Sequence, residues 1–81
     1  MKQESIFESH VDEYEQWFQE HSCLFAAEIA AIREVLPTSG VGLEIGVGSG
    51  LFAAALGIKY GVEPSAAMRK KAESRGVNVF D

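Results

Sequence analysis

Apolar residues in the first part of the chain recur at steps of three and four. Ile6, Phe7, His10, Tyr14, Trp17, Phe18 and His21 fall along one stripe of a helix, while Asp12, Glu13, Glu15, Gln16 and Glu20 fill its other side. The pair His21-Ser22 predicts a break, with Ser22 as the N-cap of a second helix. Leu24, Phe25, Ile29, Ile32, Val35 and Leu36 then repeat the pattern. Pro37-Thr38-Ser39-Gly40 ends it, because proline has no amide hydrogen with which to continue the ladder. Residues 1–36 thus read as an N-terminal helical cap.

The period changes after Gly40. Val41 to Ile45 is a short apolar run followed by a burst of glycine, the pattern of a buried parallel strand. Leu51 to Leu56 is alanine-rich and helical, with Gly57 at its carboxyl end. Ile58 to Val62 predicts a second strand, closed by Glu63-Pro64-Ser65. Ser65 caps a helix running to about Arg75, and Gly76 ends it. Val77 to Phe80 begins a third strand. The order strand–helix–strand–helix–strand predicts an α/β unit with a parallel sheet and right-handed crossovers over residues 37–81.

Composition narrows the class. The 81 residues are 47% hydrophobic and 23% charged, an ordinary globular mixture rather than a disordered one. A net charge of −5 leaves no phosphate-backbone footprint, so this segment is not expected to bind nucleic acid. The single cysteine, Cys23, excludes an internal disulfide framework and a cysteine-based metal cluster; it reads as a buried structural thiol. The opening Met-Lys-Gln-Glu-Ser has no apolar core behind it, and no apolar run is long enough to span a membrane. A reducing, cytoplasmic setting is the expectation. His10 and His21 lie about 16 Å apart along a helix axis, too far to share one metal, and both read as packing or edge residues. Arg69-Lys70-Lys71 reads as a solvated helix face.

The chemistry concentrates in Glu44-Ile45-Gly46-Val47-Gly48-Ser49-Gly50. An acid stands in a buried strand, and three alternating glycines precede a helix. Glycine is required where backbone turns sharply or where a ligand lies against it, since a Cβ would occupy that space. Ligands of open parallel sheets bind outside the carboxyl ends of the strands, where this loop falls. A dinucleotide fingerprint would place its third glycine at the sixth position, which is Leu51 here; the third glycine comes one residue early, at Gly50. Without a ligand, the same loop would be a tight strand–helix turn. Glu63 ends the next strand, where a carboxylate can accept hydrogen bonds from both hydroxyls of an adenosine ribose, each contributing about 1.5–3 kcal/mol. No arginine or lysine follows it directly, which argues against a 2′-phosphate. The plainer reading of Glu63 is an exposed acid at a strand end.

Gly42 to Gly50 resembles motif I of class I S-adenosylmethionine-dependent methyltransferases. Val62-Glu63-Pro64-Ser65, followed by Met68, resembles their second-strand motif. Phe7 through His10 to Tyr14-Glu15-Gln16-Trp17-Phe18 resembles the N-terminal helix of the "methyltransferase type 11" group. The likeness spans nearly the whole chain, with the motifs in order. It implies N-terminal helices followed by βαβαβ, the first half of a Rossmann-like methyltransferase sheet, truncated after its third strand. It also implies S-adenosylmethionine as cofactor. Gly46, Gly48 and Gly50 would lie against its methionine moiety and Glu44 near its amino group through water. Glu63 would take the ribose, Pro64 and Met68 would border the adenine, and Tyr14 would close the site. For Trp17 a core role is expected instead.

The cofactor carries a sulfonium and an ammonium, so an acidic mouth suits it. It has no pyrophosphate, so a third glycine joining helix to strand is not demanded. No catalytic residue is visible, and any general base is expected from later strands. The expected partner is a small-molecule methyl acceptor, with no membrane. Two rivals stand beside this reading: a fragment of an NAD-dependent oxidoreductase, and a non-catalytic binding module. A chain this short, with an apolar first strand at a sheet edge, is expected to self-associate or to require a missing half.

Overall fold

The computed structural model describes residues 10–81. Helices α1 (Val11–Glu20) and α2 (Ser22–Val35) are followed by β1 (Leu43–Ile45), α3 (Leu51–Leu56), β2 (Tyr60–Val62), α4 (Ala66–Ser74) and β3 (Asn78–Phe80). The three strands are parallel in the order β1-β2-β3, with Leu43 opposite Tyr60 and Tyr60 opposite Asn78. Each strand is shorter than its apolar run.

The predicted punctuation is largely observed. Gly57 caps α3 in the left-handed conformation, and Gly76 follows α4 at φ +87°. Ser65 caps α4 by accepting a hydrogen bond from the Met68 amide at 3.3 Å. The break between the first helices differs from expectation. His21, not Ser22, occupies the N-cap position, and its carbonyl accepts from Phe25 N while its own amide donates to Trp17 O. The chain turns at His21, where the ladder is interrupted: the amides of Ser22, Cys23 and Leu24 make no backbone bond into α1, and no side chain among the described residues caps them.

The inward stripe of α1 is also rotated from the predicted one. Val11, Tyr14, Glu15 and Phe18 are partly buried, whereas His10, Trp17 and His21 are exposed. Trp17 is thus no core residue; it stacks on His21 with ring centroids 4.1 Å apart. Ile6 and Phe7 lie outside the described residues. Phe18 makes edge-to-face contacts with Phe25 of α2 and Phe52 of α3, and Phe25 meets Phe52 at 4.9 Å. Such pairs contribute about 0.5–1.5 kcal/mol each beyond area burial, and here they join the helical hairpin to α3. Arg33 of α2 adds a hydrogen bond to Ala55 O. Cys23 points away from the Phe25–Ile29–Ile32 stripe and is exposed, contrary to its expected burial.

Side chains alternate across the sheet, so Glu44, Gly61 and Val79 share one face. That face is covered: Val47, Ala53, Ala72 and Val77 form the core, with Ile58 and Val79 packed against it. The opposite face carries Leu43, Ile45, Tyr60, Val62 and Phe80; among the described residues it is largely uncovered, with Ile45 74% and Phe80 58% exposed and Val62 half-buried. No helix among the described residues is long and apolar enough to cross a membrane.

Candidate functional site

The loops after β1 and β2 meet at the carboxyl ends of the strands. Gly46 and Val47 both donate their amides to Val62 O, at 2.8 and 3.0 Å, and Gly50 N closes a turn on Val47 O. Gly46, Gly48 and Gly50 all have positive φ, at +70°, +58° and +85°. The loop thus needs glycine for its path alone. Each glycine has a different neighbourhood. A Cβ on Gly46 would enter open space, while one on Gly48 would stand 3.5 Å from the Tyr14 hydroxyl oxygen. A Cβ on Gly50 would press on Ala72 of α4 at 3.0 Å. Gly50 therefore does bring loop and helix together, although a cofactor without pyrophosphate does not demand it.

The sequence motifs do not single out Gly61. A Cβ there would lie 2.6 Å from Val47, so the glycine leaves a notch in β2 into which the loop's valine drops. The only sequence signal was a glycine interrupting an apolar strand, which marks close approach of another backbone.

Glu63 is 7% exposed and closely held. Its Oε1 accepts from Gly48 N at 3.0 Å and its Oε2 from Ser65 N at 2.9 Å. It is not a free acid at a strand end; it couples the glycine loop to the start of α4. Arg69 donates to the carbonyls of Glu63 and Pro64, at 2.8 and 2.9 Å, so the basic run is not wholly a solvated face. Pro64 is exposed beside it, while Met68 is buried at the base of α4.

Glu44 stands differently. Its Oε1 is buried and has no hydrogen-bond partner, and burial pushes its carboxyl above the usual range. The Tyr14 phenol is raised by burial first, then by the charges of Glu44, Glu15 and Glu63. Tyr14 therefore remains protonated over a cluster of carboxylates, facing the loop at Gly48. Among the described residues no group of histidine, cysteine and acidic side chains could hold a metal.

Glu15, placed by the sequence on the outer face of α1, is turned inward. Its Oε1 accepts from Arg75 Nη2 at 2.8 Å and lies 3.9 Å from Lys71 Nζ. Burial alone would raise this carboxyl, but the hydrogen bond from Arg75 and the charges of Arg75 and Lys71 hold it below its ordinary value. Arg75 Nη1 donates to Ser49 O at 2.9 Å. No spacing rule finds such a pair 60 residues apart.

Chemically, the arrangement offers a backbone floor open at Gly46, two buried carboxylate oxygens without a hydrogen-bond partner, Glu44 Oε1 at the loop and Glu15 Oε2 on α1, and the Glu63 carboxylate fixed at the end of β2. That suits an organic ligand bearing positive charge.

No profile of a known protein family matches the chain. It is 44% identical over 76 residues to an uncharacterised protein of Methanocaldococcus jannaschii, covering 94% of this chain and 37% of that protein. It is 38% identical over 69 residues to an uncharacterised protein of Mycobacterium tuberculosis, covering 82% of this chain and 24% of that one. Among solved structures it is similar to a SAM-dependent methyltransferase of Thermotoga maritima, described as a possible histamine N-methyltransferase. That match has a TM-score of 0.88 and 51% identity, covering 93% of this chain and 36% of the other. The chain thus spans little more than a third of the length of these relatives at most.

Proposed function

We propose that this chain, which matches the N-terminal portion of a class I S-adenosylmethionine-dependent methyltransferase in sequence and in fold, is the cofactor-binding segment of such an enzyme. Residues 1–36 are its helical cap and residues 37–81 the cofactor-binding half of its Rossmann-like domain. The observation that carries the reading is Glu44 Oε1, buried and unpartnered beside a glycine loop that is open at Gly46. An unpaired buried carboxylate is costly, and a cationic ligand group placed against it relieves that cost. The ammonium of S-adenosylmethionine is such a group.

When bound, S-adenosylmethionine supplies a methyl group already activated on sulfur. The residues of this chain bind and orient it. Gly46 and Gly48 offer backbone without side chains, and Gly50 sets the loop against α4. Glu63 retains lone pairs for ribose hydroxyls while two backbone amides fix its direction. Pro64, exposed after β2, borders the adenine, Met68 supports that side from within the base of α4, and Tyr14 covers the loop. Alignment of an acceptor behind the methyl group is the principal catalytic task, and it falls to residues outside this segment.

The acceptor we infer is a small molecule, in a cytoplasmic setting suggested by the lone cysteine, and the net charge of −5 disfavours nucleic acid as a partner of this segment. The amine named for the Thermotoga neighbour makes small amines the first acceptors to assay. A dinucleotide reading is disfavoured because the helix-packing glycine stands at Gly50, with Leu51 in the sixth position. Competition titration of the full-length protein decides between them. S-adenosylhomocysteine should bind far more tightly than NAD; tight NAD binding would overturn the assignment.

A further inference from the structure

Three residues far apart in sequence meet between α1, the glycine loop and the end of α4. Arg75 spreads its guanidinium between Ser49 O at 2.9 Å and Glu15 Oε1 at 2.8 Å. Ser49 stands between the two glycines Gly48 and Gly50, and Glu15 follows Tyr14 directly on α1. The side chains of Glu15 and Arg75 are 12% and 26% exposed, so solvent screens this pair far less than a surface ion pair. No residue of α1 is fully buried; Lys71 Nζ also lies 3.9 Å from Glu15 Oε1, and Phe18 meets Phe52 edge to face.

We propose that Glu15 and Arg75 are positioning residues that clasp α1 to the glycine loop, seating Tyr14 over Gly48 so that ordering the loop and closing the site are one event. The proposal rests on the preceding reading for the identity of the ligand, not for the clasp. A guanidinium suits this place because its planar fork reaches a carboxylate and a carbonyl at once, which a lysine ammonium on a flexible stem does not match. The Ser49 carbonyl is fixed from one side and the Tyr14 helix from the other by a single side chain. Glycines on either side of Ser49 have no side chains with which to hold the loop. Glu63 ties the loop at Gly48 N, and Arg75 links it at Ser49 O to α1.

The test uses the full-length protein and two measurements. First, hydrogen exchange is followed without ligand in the unmodified protein, Arg75→Gln and Arg75→Lys. Amides of residues 11–20 should exchange about tenfold faster or more in both variants, while the sheet amides of Glu63 and Asn78 keep their protection. Unchanged exchange in α1, or equal loss in the sheet, would overturn the clasp. Second, S-adenosylhomocysteine is titrated into the unmodified protein, Arg75→Gln, Tyr14→Ala and the double variant. Each single change should raise Kd by about tenfold, and the double should bind no worse than Tyr14→Ala, because Arg75 acts through Tyr14. Additive losses would overturn the coupling, since a general weakening of the fold predicts additivity. If the unmodified protein binds no S-adenosylhomocysteine, the cofactor reading and the coupling to it fall, and the exchange experiment still decides whether the clasp seats α1.

Discussion

The backbone amide of Gly48 donates to Glu63 Oε1 at 3.0 Å, so the middle of the glycine loop and the acid ending β2 are bonded across 15 positions of sequence. The same carboxylate reaches Ser65 N at 2.9 Å. One side chain therefore organises the loop after β1 and the first turn of α4. The two motifs read separately in the sequence are one assembly.

Replacing Glu63 accordingly has two effects. Glu63→Ala in the full-length protein should weaken S-adenosylmethionine binding at least tenfold, about 1.4 kcal/mol. It should also lower the urea midpoint, because two backbone amides lose a charged acceptor. Isothermal titration and urea unfolding measure the two. Unchanged affinity with a lowered midpoint would leave Glu63 a purely structural residue.

Glycine substitutions should separate the site from the scaffold. Gly48→Val adds a branched side chain at φ +58°, beside the Tyr14 hydroxyl, and should abolish cofactor binding while far-UV circular dichroism stays largely intact. Gly61→Ala sets a methyl 2.6 Å from Val47 and should cost about 1–3 kcal/mol of stability through overpacking. If Gly48→Val binds cofactor as the unmodified protein does, the loop is no cradle.

Glu44 and Glu15 should respond oppositely to pH. Burial raises Glu44, so its folded form holds a proton more tightly than the unfolded chain does. Its penalty is absent below the unfolded carboxyl pKa and complete above the raised folded one. Glu44→Gln should therefore raise the melting temperature at neutral pH, with the gain vanishing in acid, and should weaken cofactor binding. Glu15 is held low, so its contribution is present above the unfolded pKa and lost as pH falls through the folded one. Glu15→Gln should lower the melting temperature at neutral pH and converge on the unmodified protein in acid. Melting curves from pH 3 to 8 read both, and parallel behaviour of the two variants would contradict the assignments.

Residues 1–81 alone should not methylate any acceptor and should self-associate. The apolar edge strand β1 contains no lysine or proline, and the sheet face of Leu43, Ile45, Tyr60 and Phe80 is largely uncovered among the described residues. Sedimentation at micromolar concentration checks this; a folded monomer that does not associate would refute it.

Much of this was legible in the sequence because backbone constraints announce themselves. Gly57, Gly76 and Ser65 marked helix ends through local chemistry, and the alternating glycines marked a loop that needs positive φ. What stayed hidden depends on distant partners. Glu15 looks solvent-facing until Arg75 arrives from the other end of the chain, and hydrophobicity alone runs the stripe of α1 through Trp17 because the ion pair that turns the helix is not local. Residue type suggests burial for Cys23, whereas its exposure follows from its place off the Phe25–Ile29–Ile32 stripe of α2.

The notch at Gly61 has a consequence for how this fold varies among sequences. Val47 occupies volume that position 61 has vacated, so the two positions share one allotment of space. A lineage that gains alanine at 61 must shrink residue 47, and one that enlarges residue 47 is confined to glycine at 61. Positions 47 and 61 should drift as a linked pair, each substitution permitted only in the background of the other.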